Sequence, residues 1–251
     1  MRAVSLLTVM LLCPAASAQK PEPKYEGKTL AYWIERFQKA ENEKDRDAAE
    51  QAVIAFGPDA AAYLPTLMPM LTDLSHNYRG RAANMICAMG PAAKNVIPDL
   101  VKLLQKPSPQ DPSRVIRILC AIGPDAKSAI PDIQRAVENY LAAQKNNEDL
   151  SYYLILDRYE YHALGTGVVP LLISLLNVED EKVVTQSARE LGLLGLAAKD
   201  ALPALKAVQR KKTETVEVPV FAPAAPAPGG PLNSRDWTIK EAIRKIESPK
   251  K

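Results

Sequence analysis

The sequence predicts an all-α fold, an α-solenoid of about six stacked helix pairs. Three observations predict it. Gly-Pro recurs at Gly57-Pro58, Gly90-Pro91 and Gly123-Pro124, each step being 33 residues. A second proline follows eight residues after each of these glycines, so GPDAAAYLP becomes GPAAKNVIP and then GPDAKSAIP. Before each glycine the apolar residues fall at i, i+3, i+4 and i+7: Ala49, Ala52, Val53, Phe56, then Ala82, Met85, Ile86, Met89, then Val115, Ile118, Leu119, Ile122. That spacing lines one face of an α-helix and fits no strand.

The period continues past the third copy. Gly165 and Pro170 frame a shortened GTGVVP, and Gly195 opens GLAAKDALP, ending at Pro203. The prolines Pro65, Pro98, Pro131, Pro170 and Pro203 therefore step by 33, 33, 39 and 33 residues. Each glycine stands where a helix end needs positive φ, and the proline after it prevents continuation. The second proline opens the next helix, because the first helical position needs no N–H donor. Leu67, Met70, Leu71 and Leu74 give one such helix its own apolar stripe. A lone pair of helices cannot cover both stripes, so the pairs must stack.

In chain order, residues 1–18 read as a leader. Met1-Arg2 is positive, Val4 to Leu12 is mostly apolar, and Ala16-Ser17-Ala18 puts small residues at a cleavage site. That run reaches only about 14 Å as a helix, short of the roughly 30 Å of a bilayer core. The rival reading acylates Cys13, where Leu12 occupies the position of an expected small residue. Residues 19–27 form an N-terminal extension. The first pair joins Leu30–Ala40, with its stripe of Leu30, Trp33, Ile34 and Phe37, to Arg46–Phe56. Further pairs follow near 59–89, 92–122, 125–164 and 167–195. The repeat region spans 28–211 and ends on a helix near 198–211. Residues 212–234 are a Pro/Ala-rich insert expected to be extended. At 235–247 helical spacing returns through Ile239, Ala242, Ile243 and Ile246, as the second helix that closes the last pair.

A helix ending in Gly-Pro, small residues, proline and a Leu-rich helix resembles the HEAT repeat, in the short bacterial form related to phycobilisome lyases. The resemblance covers roughly residues 28–211 and rests on structural positions. It implies a right-handed, armadillo-type superhelix whose second helices line the concave face.

Composition bounds the function. The 251 residues carry 32 Lys and Arg against 29 Asp and Glu, a net of +3, which argues against a nucleic-acid binder driven by bulk charge. Three cysteines make no disulfide scaffold, and two histidines leave little for a metal site. Neither a metal nor another cofactor is expected. Gly27-Lys28-Thr29 imitates the end of a phosphate loop, but position 22 holds Glu22 where the loop needs glycine. It reads as a turn before a helix start. His76 and His162 read as surface or packing residues. Cys87 and Cys120, one period apart, read as two buried free thiols, since stacked helices lie about 8–10 Å apart.

Two clusters remain as partner-binding candidates. Arg81 and Arg114 are one period apart, with Arg79 and Arg117 beside them. The resemblance implies a basic ladder on the concave face, a clamp for an acidic peptide, polysaccharide or anionic surface. The competing reading pairs these arginines with acidic neighbours in the stack. In the altered fourth unit, SYYLILDRYEYHALG, Tyr153, Asp157 and Tyr161 fall on one helix face with Arg158 beside them. Tyrosine there supplies either an interface or bulky packing against a long preceding helix. The functional expectation is an exported, periplasmic or extracellular, non-catalytic scaffold and a monomer. It binds another protein or an extended ligand, not nucleic acid, and has no membrane span. The alternatives are a bilin or chromophore lyase-like enzyme, as the resemblance implies, and a purely structural cell-envelope protein.

Overall fold

The computed structural model describes residues 22–72, 76–106, 112–144, 160–215 and 235–248. Residues 1–21, Cys13 among them, and most of the Pro/Ala-rich insert lie outside them. The described chain is mostly helical. The exception is a two-stranded antiparallel hairpin, β1 (Lys24–Tyr25) and β2 (Lys28–Thr29), at the N-terminal end. Its two-residue loop, Glu26-Gly27, has φ of 49° and 73°. Positive φ at both central residues matches the right-handed twist of a hairpin, which is why glycine is useful there. Gly27 thus belongs to a turn, and Thr29 caps helix α1 (Leu30–Lys39) by accepting from the Tyr32 N–H. Trp33 fastens the hairpin to α1, donating from Nε1 to the Tyr25 carbonyl at 3.1 Å.

Helix α2 (Glu43–Phe56) starts on Asn42, whose side chain accepts from the Asp45 N–H at 2.9 Å. It ends at Gly57, with φ 54° and ψ −125°. Those angles are the first central position of a type II′ turn, and the proline that follows brings the fixed negative φ of the second. A β-carbon at Gly57 would stand 3.6 Å from the Ala88 carbonyl oxygen, an ordinary contact. Conformation and not space therefore requires glycine. The chain then turns through a 3-10 corner, Gly57–Tyr63. Corners of the same kind occupy Gly90–Val96, Gly123–Ala129 and Gly195–Ala201.

The remaining helices are α3 (Leu64–Leu67), α4 (His76–Met89), α5 (Ile97–Gln105), α6 (Ser113–Ile122), α7 (Ile130–Gln144), α8 (Val169–Leu175), α9 (Glu181–Leu194), α10 (Leu202–Thr215) and α11 (Arg235–Glu247). The second prolines sit at the second residue of their helices, not the first, as in Ile97-Pro98 and Leu202-Pro203. Two sequence boundaries shift. The helix expected near 198–211 runs from Leu202 to Thr215, because residues 195–201 are spent on the corner. The helix expected after Pro65 is one α turn, α3, followed by 3-10 residues Met68–Thr72. Pro69 has no N–H for the carbonyl four residues back, so the α ladder stops. Leu67 and Leu71 are buried as their spacing predicts, Met70 is half-buried, and Leu74 lies outside the described residues.

Packing follows the repeat. Helix α2 lies against α1 and α4, α4 against α6, and α6 against the short 3-10 segment Tyr161–Leu164. That segment packs on α9, and α9 on α11. The register recurs as well. A β-carbon on Gly57, Gly90, Gly123 or Gly195 would lie 3.6–3.9 Å from the carbonyl oxygen of Ala88, Ala121, Ala163 or Lys245 respectively. In the first three cases that carbonyl is two residues before the next positive-φ glycine, so α2, α4 and α6 run parallel and in step, and the turn Tyr161–Leu164 meets α6 in the same register. One continuous core runs through all of them, from Leu30 and Trp33 to Ile243 and Ile246.

A candidate binding face on the second helices

Helices α2, α4 and α6 lie side by side and carry a row of polar groups. Glu50 on α2 is buried, with 5% of its surface exposed, and falls among the apolar stripe residues Ala49, Ala52 and Val53. Its carboxylate is satisfied by α4: Arg81 Nη1 donates to Oε2, and Asn84 Nδ2 donates to Oε1 at 2.7 Å. Arg81 also pairs with Glu43 at 2.8 Å and with Asp47. Burial works to lower the Arg81 pKa, but the bonds to Asp47 and Glu50 outweigh it and hold the guanidinium above its ordinary value. Arg81 is committed to three carboxylates of α2, so it is a tie between neighbouring helices. The intrastack pairing considered from sequence describes this residue.

Arginines one unit further on differ. Arg117 Nη2 donates to Asn84 Oδ1 at 2.6 Å, while its Nε is buried and has no acceptor. Arg114, one turn away on α6, is half-buried and makes no hydrogen bond or ion pair with a described residue. Acidic groups therefore gather on α2, and on α6 stand cationic groups with no carboxylate partner among the described residues. The row is polarised from one helix to the next.

Beyond α6 the polar groups are Glu190 and His162. Glu190 on α9 is 2% exposed. Its Oε2 accepts from the His162 backbone N–H at 3.0 Å and stands 2.8 Å from His162 Nδ1, while Oε1 accepts from Gln186 Nε2 at 3.0 Å. Sequence reasoning treated His162 as an ordinary residue and passed over both buried carboxylates. The signal was present: Val183, Ser187, Glu190 and Leu194 recur at three- and four-residue intervals on one face.

Of the tyrosine cluster only Tyr161 is described. Tyr153, Asp157 and Arg158 lie outside the described residues. Tyr161 is described and fully buried in the 3-10 turn between α6 and α9, so it belongs to the core and offers nothing to a partner. The thiols also need correction. Both are free, and Cys120 is buried, but Cys87 is only half-buried. Burial raises the Cys120 thiol far above its usual range. Cys87 is raised too, first by burial, with the charge and hydrogen bond of Arg117 pulling the other way. In the folded protein, iodoacetamide at pH 8 should label Cys87 more slowly than a free thiol, and Cys120 only after denaturation. Arg117→Met should slow Cys87 further. Mass spectrometry of the alkylated peptides checks both.

Among the described residues no group of three His, Cys, Asp or Glu side chains is placed to hold a metal. No described helix is long and apolar enough to cross a membrane. No family model matches the chain, and no curated protein matches it. Among solved structures, the crystal structure of an engineered protein from a structural genomics consortium is similar. It is 16% identical, the match covers 87% of this chain and 96% of that one, and the TM-score is 0.41. A likeness that faint carries no argument, and the helix pairs described above rest on their own packing.

Proposed function

We propose that this chain is an exported, non-catalytic scaffold of HEAT-repeat type, a right-handed α-solenoid that binds an acidic segment of another protein along its second helices. The solenoid reading is supported by the parallel, in-register order of the second helices. Export rests on the leader pattern of residues 1–18. The observation that carries the binding reading is the pair on α6: Arg114 without a described partner, and Arg117 with a buried Nε that nothing accepts from. Half-buried cations at the end of a polarised row gain more from an incoming carboxylate than fully solvated ones, because water screens them less. Arg81 is left out of the contact set, since three carboxylates already occupy it.

A fluorescein-labelled oligoglutamate peptide tests the reading by anisotropy at low ionic strength. Wild-type protein should bind it, and binding should weaken as salt is added. Arg114→Glu/Arg117→Glu should remove it. Lys182→Glu/Lys199→Glu, with the same change in net charge on exposed positions, should bind like wild type. Equal binding by the two double variants would overturn the assignment of the site to α6.

A further inference from the structure

The layer of first helices opens at one place. Helix α5 packs along α7, but the segment Leu64–Thr72, shortened as an α-helix by Pro69, stands off from α5. Their partner helices α4 and α6 remain packed together, so the outer layer splays while the inner layer stays closed. The result is a groove of about 730 Å³. Binding sites for single small ligands fall in the range of roughly 300–1,000 Å³, mostly apolar with a few placed polar groups.

The groove fits that description. Leu64 and Met68 line one wall, Val96 and Leu103 the other, and Lys102 and Lys106 stand on its α5 side. These lysines are four residues apart, hence on one side of the chain end. Among the described residues that line it, Asp99 is the only acidic one, and it pairs with Lys102 at 2.9 Å. Lys106, just past the end of α5, pairs with no described residue. An apolar trough with surplus positive charge on one rim is complementary to an apolar body carrying one anionic group. Its walls offer few partners for a peptide main chain, because helices have spent their own backbone groups internally. An aliphatic chain needs no such partners.

We propose that this groove binds a single-chain aliphatic carboxylate, with the chain between Leu64–Thr72 and α5 and the head group at Lys102 and Lys106. The site lies on the first-helix layer and is independent of the arginine face.

Isothermal titration with decanoate below its micellar concentration tests it. Wild-type protein should bind decanoate, and about fifteenfold more tightly than octanoate, since each of the two extra buried methylenes is worth roughly a factor of four. Lys102→Glu/Lys106→Glu should weaken decanoate about tenfold, and decyltrimethylammonium should bind more weakly than decanoate. Ala62→Trp and Thr72→Trp, both exposed lining positions, should each block the groove while keeping the wild-type circular dichroism. Arg114→Glu/Arg117→Glu should bind decanoate unchanged, which separates this site from the proposed scaffold face. Absent binding by wild type, undiminished binding by both folded tryptophan variants, or equal affinity for the cationic amphiphile would overturn the proposal.

Discussion

Gly192→Val should destabilise the protein by about 3 kcal/mol or more, the largest effect expected of a single methyl-bearing substitution here. Gly192 is in the last turn of α9, at the crossing with α11. A β-carbon there would lie 3.0 Å from Ala242 Cα and 3.2 Å from Ala242 Cβ. The backbone of α11 is the obstacle, so no rotamer relieves it. Valine adds two further carbons in the same direction. If α11 is pushed off, the burial of Ile239, Ala242, Ile243 and Ile246 goes with it. Gly192→Ala is a finer probe, because its gain in helix propensity of about 1 kcal/mol opposes a contact that is only a few tenths of an ångström too short. Combining it with Ala242→Gly removes the 3.2 Å contact with Cβ but not the 3.0 Å contact with Cα, so a double-mutant cycle should show a partial coupling, below about 1 kcal/mol. Urea unfolding midpoints, with hydrogen exchange on the α11 amides, would check this. Unchanged exchange in Gly192→Val would show that the helices do not meet there.

Glu190→Ala should cost about 2–4 kcal/mol, far above the roughly 0–1 kcal/mol of an exposed ion pair. The carboxylate serves donors from two places: the backbone and ring of His162 and the side chain of Gln186. Removing it leaves the His162 N–H without its acceptor in a region the core already encloses. His162→Ala should cost less, since the backbone bond to Glu190 survives. Glu190→Gln should fall between, because one amide oxygen replaces two carboxylate oxygens. That ordering, measured by urea unfolding, separates a fastening of the backbone from a simple side-chain pair. Equal losses in His162→Ala and Glu190→Ala would contradict it.

What the sequence made legible was whatever the backbone repeats. The corner glycines carry a requirement for positive φ that no other residue meets cheaply, so Gly57, Gly90 and Gly123 stand out at a fixed step. The stripe Ala82, Met85, Ile86 and Met89 is fully buried for the same reason that it was visible. The polar interior was less legible. A carboxylate on an apolar stripe is ordinarily read as solvated, and only the neighbouring helix reveals that Glu50 faces Arg81 and Asn84. Those partners are 31 and 34 residues away, in the next unit. The arginine ladder divided for the same reason, because Arg81 and Arg114 occupy equivalent positions but face different neighbours. Tyr161 misled differently: its i+4 spacing from Asp157 assumed a continuous α-helix, whereas Tyr161 sits in a 3-10 turn with a different angular step. The hairpin at Lys24–Thr29 was missed because two-residue strands have no periodicity to read.

An array built by adding like units has no internal reason to stop, and the last helix supplies one. The inner side of α11 carries Ile239, Ala242, Ile243 and Ile246, and its outer side is occupied by intrahelical pairs, Asp236 with Lys240 and Glu241 with Arg244. Trp237 is the one large apolar side chain it leaves exposed. A further helix laid on that side would have to strip water from those charges and receive no apolar stripe in return. Nothing in the corner sequences specifies how many units the column holds. That number is set where the pattern of one helix changes from two-sided to one-sided.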